Sequence, residues 1–438
     1  MKRLAPVLLG LALSAAGGAA QAALRITTWT TAEGARVLFV PAPEIPMVDV
    51  RVVFAAGAAR DGTQPGLAGF VNSLLSDGAG ERDADAFSIA LGQTGAVLGN
   101  GAQRDMAYVR LRTLAEAQYA DPALALLTDA VARQRFDDRA LERARARAVI
   151  SLEQKQQSAE SIAEDRFYSE VYRGHPYASP PDGTQASITA LTRADVRAFH
   201  RRYYVARNAV IAIVGALDEQ AARAWSARIS APLPAGTPAP AQPEVGPTKG
   251  AAHRVALPAI QSHIQIGLPG ISRDDADYFA LLLGNHVLGG SSLNSLLSRE
   301  IRSKRGLTYG VSSYFTPMAE AGPFIAMLKT DASQEAEALE VLHDTLEAFV
   351  ADGPPAAELE AARQNLIGGF PLRLASNRQI VEYVAMIGFY ALPLDYLDTY
   401  TKKVAAVTSA EVRDAFRRRI VPDSMITVIV GPPAAVSR

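Results

Sequence analysis

The 438-residue chain has no cysteine, so it can form no disulfide, offers no thiolate nucleophile and cannot hold a metal through sulfur. It has almost no net charge, with 44 Lys and Arg against 45 Asp and Glu. No overall field exists to gather polyanions, which argues against a nucleic-acid partner. Histidine is scarce. The six are His175, His200, His253, His263, His286 and His343, and no two stand four apart, so no helix presents two imidazoles one turn apart on one face. Beyond the N-terminus there is no apolar run of the ~20 residues that a membrane-spanning helix needs. What remains is an ordinary packed composition, 49% hydrophobic and 20% charged, in a chain long enough for two domains.

The N-terminus carries an address. Lys2 and Arg3 precede an apolar run over residues 4–16, then small residues ending in Ala20, Gln21 and Ala22. Residues 1–22 read as a secretory signal peptide cleaved after Ala22, since the run is too short to anchor the chain in a bilayer. The mature protein is expected in the periplasm.

Residues 231–250 hold Pro232, Pro234, Pro238, Pro240, Pro243 and Pro247 with no apolar period, as an extended linker would. The segments on either side, 24–230 and 251–438, are related by a shift of 216 residues. LTRADVRAF at 191–199 matches VTSAEVRDA at 407–415, AVIAIVG at 209–215 matches MITVIVG at 425–431, and 10 of the 25 positions over 191–215 are identical at this offset. Thr192 with Asp195, and Thr408 with Glu411, each place a capping hydroxyl three residues before a carboxylate. Each such pair opens a helix that leads into a β-branched strand stopping at glycine. Amphipathic helices are predicted at 121–133, 138–154, 333–349 and 355–368, and strands at 48–55, 106–113, 264–268 and 324–329. The order is that of two homologous α+β domains, each an antiparallel-rich sheet with helices on one face.

These duplicated halves, the linker and the segment GLAGFVNSLLSDG at 66–78 together resemble the pitrilysin, insulinase and mitochondrial processing peptidase family. Further marks of the likeness are YYVARN at 203–208, HPY at 175–177, LGGSS at 288–292 and RSKRGLTY at 302–309. The resemblance implies a helix bearing an inverted zinc motif, H-x-x-E-H, whose positions are occupied here by Gly69, Asn72 and Ser73. Glycine has no donor atom, and amide and hydroxyl oxygens replace imidazole poorly at a zinc site. The chain is therefore expected to hold no metal and no cofactor of its own. Glu153 lies near where the family's third ligand would fall, although a solvated carboxylate on a helix full of Arg and Gln is the plainer reading.

The resemblance also singles out Arg302 and Tyr309. In relatives, an Arg and a Tyr seven apart reach the substrate carbonyl, where both can donate to a developing oxyanion. Helix-terminal cations at Arg302 and Arg305 before Gly306 are the structural alternative. Gly289 and Gly290 stand where noncatalytic processing-peptidase subunits have a glycine-rich substrate loop, or form an ordinary turn. Gly99 and Asn100, within GAVLGNGA at 95–102, match the place where relatives add a peptide as an extra strand, or form a hairpin turn. The expected role is that of a noncatalytic subunit. An exported, zinc-motif-bearing relative would form a heterodimer with it and bring the zinc, and this chain would supply chamber walls, Arg302 and Tyr309 for peptide cleavage. The alternative is an inert scaffold or peptide-binding protein of the same fold. An independent metalloendopeptidase is opposed by the vacated motif.

Overall fold

A computed structural model describes residues 24–433, and the expected signal peptide lies outside the described residues. The first half contributes strands β1 (Thr27–Thr30), β2 (Arg36–Pro41), β3 (Met47–Phe54), a small ribbon of β4 (Gly78–Ala79) and β5 (Arg82–Asp83), then β6 (Val97–Ala102), β7 (Ala107–Leu114) and β8 (Ala209–Gly215). The second half contributes β9 (Ala251–Ala256), β10 (Gln261–Ile271), β11 (Gly310–Phe315), β12 (Gly322–Asp331) and β13 (Ile426–Gly431). The two main sheets run β1-β2-β8-β3-β7-β6 and β11-β12-β10-β13-β9. Apart from the extra β1, the orders are the same. In each sheet one pair is parallel, β2 with β8 and β9 with β13, and the other pairs are antiparallel. The helices Arg193–Tyr203 and Ser409–Arg419, 216 residues apart, both begin with the expected capping box, at Thr192 and Thr408.

The expectation of helices on one face is incomplete, because each half lends a helix to the other. The helix Asn377–Phe389 of the second half lies across β2, β3 and β8, and the helix Ala159–Val171 of the first half lies across β10 and β13. The approach is close: a Cβ at Gly388 would stand 2.6 Å from Leu38 and Val210, and one at Gly267 would stand 3.0 Å from Phe167. Every residue of β8 is buried, with apolar side chains on both of its faces. Such an unbroken apolar strand is the pattern of a doubly covered sheet. At ~1.5–3 kcal/mol for each large side chain removed from water, the exchanged helices bind the halves into one body.

The proline-rich stretch forms no helix or strand over residues 234–250, but it is not a free tether. The backbone N–H groups of Ala206 and Arg207 donate to Pro234 and Ala235, His175 Nε2 meets the Pro243 carbonyl at 2.8 Å, and Leu233 is buried. A second joint is built around the buried Asp105. Its carboxylate accepts from Tyr177 Oη at 2.6 Å, from Tyr390 Oη at 3.0 Å and from the Ala319 amide at 2.7 Å, so one acid ties three segments across both halves. The HPY segment belongs to this joint.

Candidate functional site

The helix α1 (Leu67–Ser73) carries the vacated motif. It starts after Gly66, whose φ of +86° puts it in the left-handed region, and a Cβ there would strike Gly183 at 2.7 Å. Its first amides are held by a carboxylate from outside the helix: Asp61 accepts from Gly66 N at 2.7 Å and from Ala68 N at 2.8 Å, with Ser179 Oγ at 3.2 Å. Burial pushes Asp61 up to about 7, against the pull of those donors and of Arg104. A short cleft of 280 Å³ opens beside α1, lined by Gly69, Ser73, Asn100, Ser151, Leu152 and Pro181 among others.

Zinc does not fit the residues present. A Cβ on Gly69 would lie 2.8 Å from the Pro181 carbonyl oxygen, so the backbone fills the space that an imidazole would need. Asn72 is buried and already bonded. Its Nδ2 donates to Tyr108 O at 3.2 Å and to Tyr204 Oη at 3.4 Å, and its Oδ1 accepts from Asn100 Nδ2 at 3.0 Å. Ser73 Oγ donates to the Phe70 carbonyl at 2.8 Å, inside its own helix. Glu153 is exposed on the helix Asp138–Lys155, which turns Ala148, Ser151 and Leu152 toward the cleft instead. Among the described residues no three His, Cys, Asp or Glu side chains converge as metal ligands would.

The segment with Gly99 and Asn100 is itself the edge strand β6. Gly99 lies against Arg110, whose Nε would stand 2.9 Å from an added Cβ, and Asn100 is turned onto α1. Gly289 and Gly290 close a wide helical turn, His286–Gly290, against the other edge strand, β11. A Cβ on Gly289 would meet Ser313 N at 2.5 Å, so close packing alone demands glycine there. Arg302 sits on the turn Ser298–Ser303 and Tyr309 immediately before β11. The link between them is pinned: Leu307 N donates to Ile301 O at 3.0 Å and Thr330 Oγ1 to Leu307 O at 2.6 Å. The side chains of Arg302 and Tyr309 make no hydrogen bond or ion pair among the described residues, and Tyr309 is 86% exposed.

A second and larger cleft, of 740 Å³, opens in the other half, and the sequence reading did not anticipate it. Positions 66, 69, 70 and 73 of the first cleft, shifted by 216, are Leu282, Asn285, His286 and Gly289, and all four line it. Here too a polar pair ties the helix to its edge strand, although one turn away in the repeat: Ser313 Oγ donates to Asn285 Oδ1 at 2.6 Å, and Asn285 stands at the position of Gly69. The 216-residue repeat was the signal that could have found it.

A doubled α+β body with related clefts beside two edge strands, and a motif helix stripped of ligands, defines a peptidase-like protein. Comparison with known proteins gives the family. The insulinase (peptidase family M16) profile matches residues 36–185 and the peptidase M16 inactive-domain profile matches residues 190–366, and the chain belongs to that family. A peptidase M16 inactive-domain structure from Pseudomonas fluorescens is 38% identical and superposes with a TM-score of 0.91, covering 94% of this chain and 99% of its own. An uncharacterized zinc protease of Mycobacterium leprae is 28% identical over 78% of each chain. A protein of Helicobacter pylori described as a non-peptidase homolog is 23% identical over 88% of this chain and 89% of its own.

Proposed function

We infer that this chain is the noncatalytic subunit of a periplasmic two-chain zinc peptidase, in which an exported relative supplies the zinc helix and this chain supplies chamber walls with Arg302 and Tyr309. The observation that carries the reading is the Pro181 carbonyl oxygen standing 2.8 Å from where a side chain at position 69 would begin, while the side chains of Arg302 and Tyr309 have no polar partner among the described residues. Hydrolysis then belongs to another chain. The guanidinium and the phenol can donate to the oxyanion formed at the partner's metal, which is electrostatic work that needs no metal here.

The test is to purify the mature chain alone and with a relative carrying an intact H-x-x-E-H, then measure zinc content and peptide cleavage. The expected result is cleavage only by the pair, with Arg302→Ala lowering kcat/KM by roughly 100-fold and Tyr309→Phe by about tenfold. Stoichiometric zinc and proteolysis by the solitary chain would overturn the reading. Cleavage by the pair that ignores both substitutions would favour the inert scaffold of the same fold, in keeping with the polar side chains that fill the vacated site. Recovery of the processed chain in a periplasmic fraction checks its location.

A further inference from the structure

The two clefts descend from one repeat but differ in charge. The cleft beside β11 takes in Arg273 and Arg373 with His286, and no carboxylate is among its lining residues. Neither guanidinium has an ion-pair partner among the described residues, and Arg273 Nε is buried without a hydrogen-bond partner. Arg273 lies 5.9 Å from the Tyr278 ring and 5.4 Å from that of Tyr390, so it is held between aromatic faces rather than by an acid. Burial and the charge of Arg373 both push His286 down. Apolar side chains, Ile271, Leu282, Phe315 and Leu366, line other parts of the wall. One side of the cleft is β11, the last strand of its sheet, paired on a single side with β12.

We propose that this cleft binds the C-terminal end of an extended peptide, the backbone adding to the β11 edge and the free α-carboxylate paired with Arg273 and Arg373. An edge strand offers backbone groups to any sequence; on β11 the Ser313 carbonyl is taken by Asn285 Nδ2 at 2.9 Å and Gly310 is bonded to Thr308, so the peptide would pair with the rest of the edge. The apolar walls receive alternate side chains, and forked guanidiniums match a carboxylate. The α-carboxylate is favoured over an acidic side chain on geometric grounds. In a paired strand, side chains leave perpendicular to the sheet, whereas a terminal carboxylate continues the line of the backbone. The proposal rests on the peptide-handling role argued above and adds a substrate class to it: released or short peptides, recognised by their ends.

The experiment uses the mature chain alone, so it does not depend on a catalytic partner. Fluorescence anisotropy would follow an N-terminally fluorescein-labelled, Val- and Thr-rich decapeptide in two forms, one ending in the free acid and one in the amide. A third peptide would carry a penultimate Glu with an amidated end. The free acid should bind saturably, and both amidated peptides at least tenfold more weakly. Arg373→Ala, at an exposed position that should not disturb folding, should weaken the free acid about tenfold and leave the amide unchanged. Arg273→Gln should do the same, with circular dichroism confirming the fold. Equal binding of acid and amide, binding of the Glu peptide as tight as the free acid, or no saturable binding would each overturn the proposal. Loss of cleavage by the two-chain complex with this binding intact would instead sink the subunit reading and leave the cleft standing.

Discussion

The two clefts show how one repeated unit can be closed in one copy and left open in the other. Beside α1, a 280 Å³ cleft is crowded by the Pro181 carbonyl and crossed by the Asn72 and Asn100 amides. Beside β11, the related cleft is 740 Å³ and holds two guanidiniums without ion-pair partners among the described residues. Both retain the same frame, a helix pinned to an edge strand by a buried polar pair. The difference lies in what each holds: a crowded space without metal ligands in the first half, and a larger space lined by two arginines in the second.

The sharpest way to break this comparison is through its glycines. Gly289→Ala should cost about 3 kcal/mol, because its Cβ would meet the backbone nitrogen of Ser313 at 2.5 Å and neither strand nor turn can yield. Gly69→Ala should cost less, about 1–2 kcal/mol, since only one carbonyl oxygen at 2.8 Å must move. Urea unfolding reads both. Restoring the motif with Gly69→His, Asn72→Glu and Ser73→His should add a similar penalty and still bind no stoichiometric zinc by metal analysis, because the wall where a third ligand is needed presents Ser151 and Leu152. A folded triple variant with one tightly held zinc would show that the first cleft is closed by sequence alone and not by its backbone.

Next in size are the polar pairs. Asn72→Ala removes the donor to the Tyr108 carbonyl and one of the two acceptors of Asn100 Nδ2, and Asn285→Ala strands Ser313, so each should lose about 1–3 kcal/mol. Double-mutant cycles of Asn72 with Asn100 and of Asn285 with Ser313 should show coupling of similar size. A coupling near zero in either pair would remove that half's claim to the shared frame.

Much of this frame could be read from the sequence. The capping boxes at Thr192 and Thr408 and the strands ending at Gly215 and Gly431 established the duplication because they are local, and local hydrogen bonding and alternation leave marks in neighbouring residues. The strand at 106–113 appeared one residue along, as Ala107–Leu114. The exchanged helices did not declare themselves, since nothing in Ala159–Val171 names a sheet 90 residues ahead, and the expectation of helices on one face passed over the unbroken apolar run of β8. The same limit holds for the sites. Loss of H-x-x-E-H is visible in the letters, but the Pro181 carbonyl in its place, the Asp105 joint and the cationic cleft come from residues far apart in the chain.

The smallest effect expected also separates the halves, for α1 is opened by a buried acid whereas its counterpart, the helix Tyr278–Asn285, has no side-chain cap. Asp61 titrates near 7 in the folded protein and near 3.8 when unfolded, so between these values the folded state holds the extra proton. Its contribution to stability is therefore complete below about pH 4 and is lost as pH rises through 7. Across pH 5–8 the decline should be on the order of 2 kcal/mol, less than the full shift implies, because that window opens more than a pH unit above the unfolded value. Asp61→Asn should remove that slope and lower stability at pH 5 by about 1 kcal/mol, since the amide keeps one good acceptor where the acid serves two donors on separate oxygens. Urea midpoints measured at half-unit pH intervals would reveal it, and an unchanged slope in the variant would assign the pH dependence to another group.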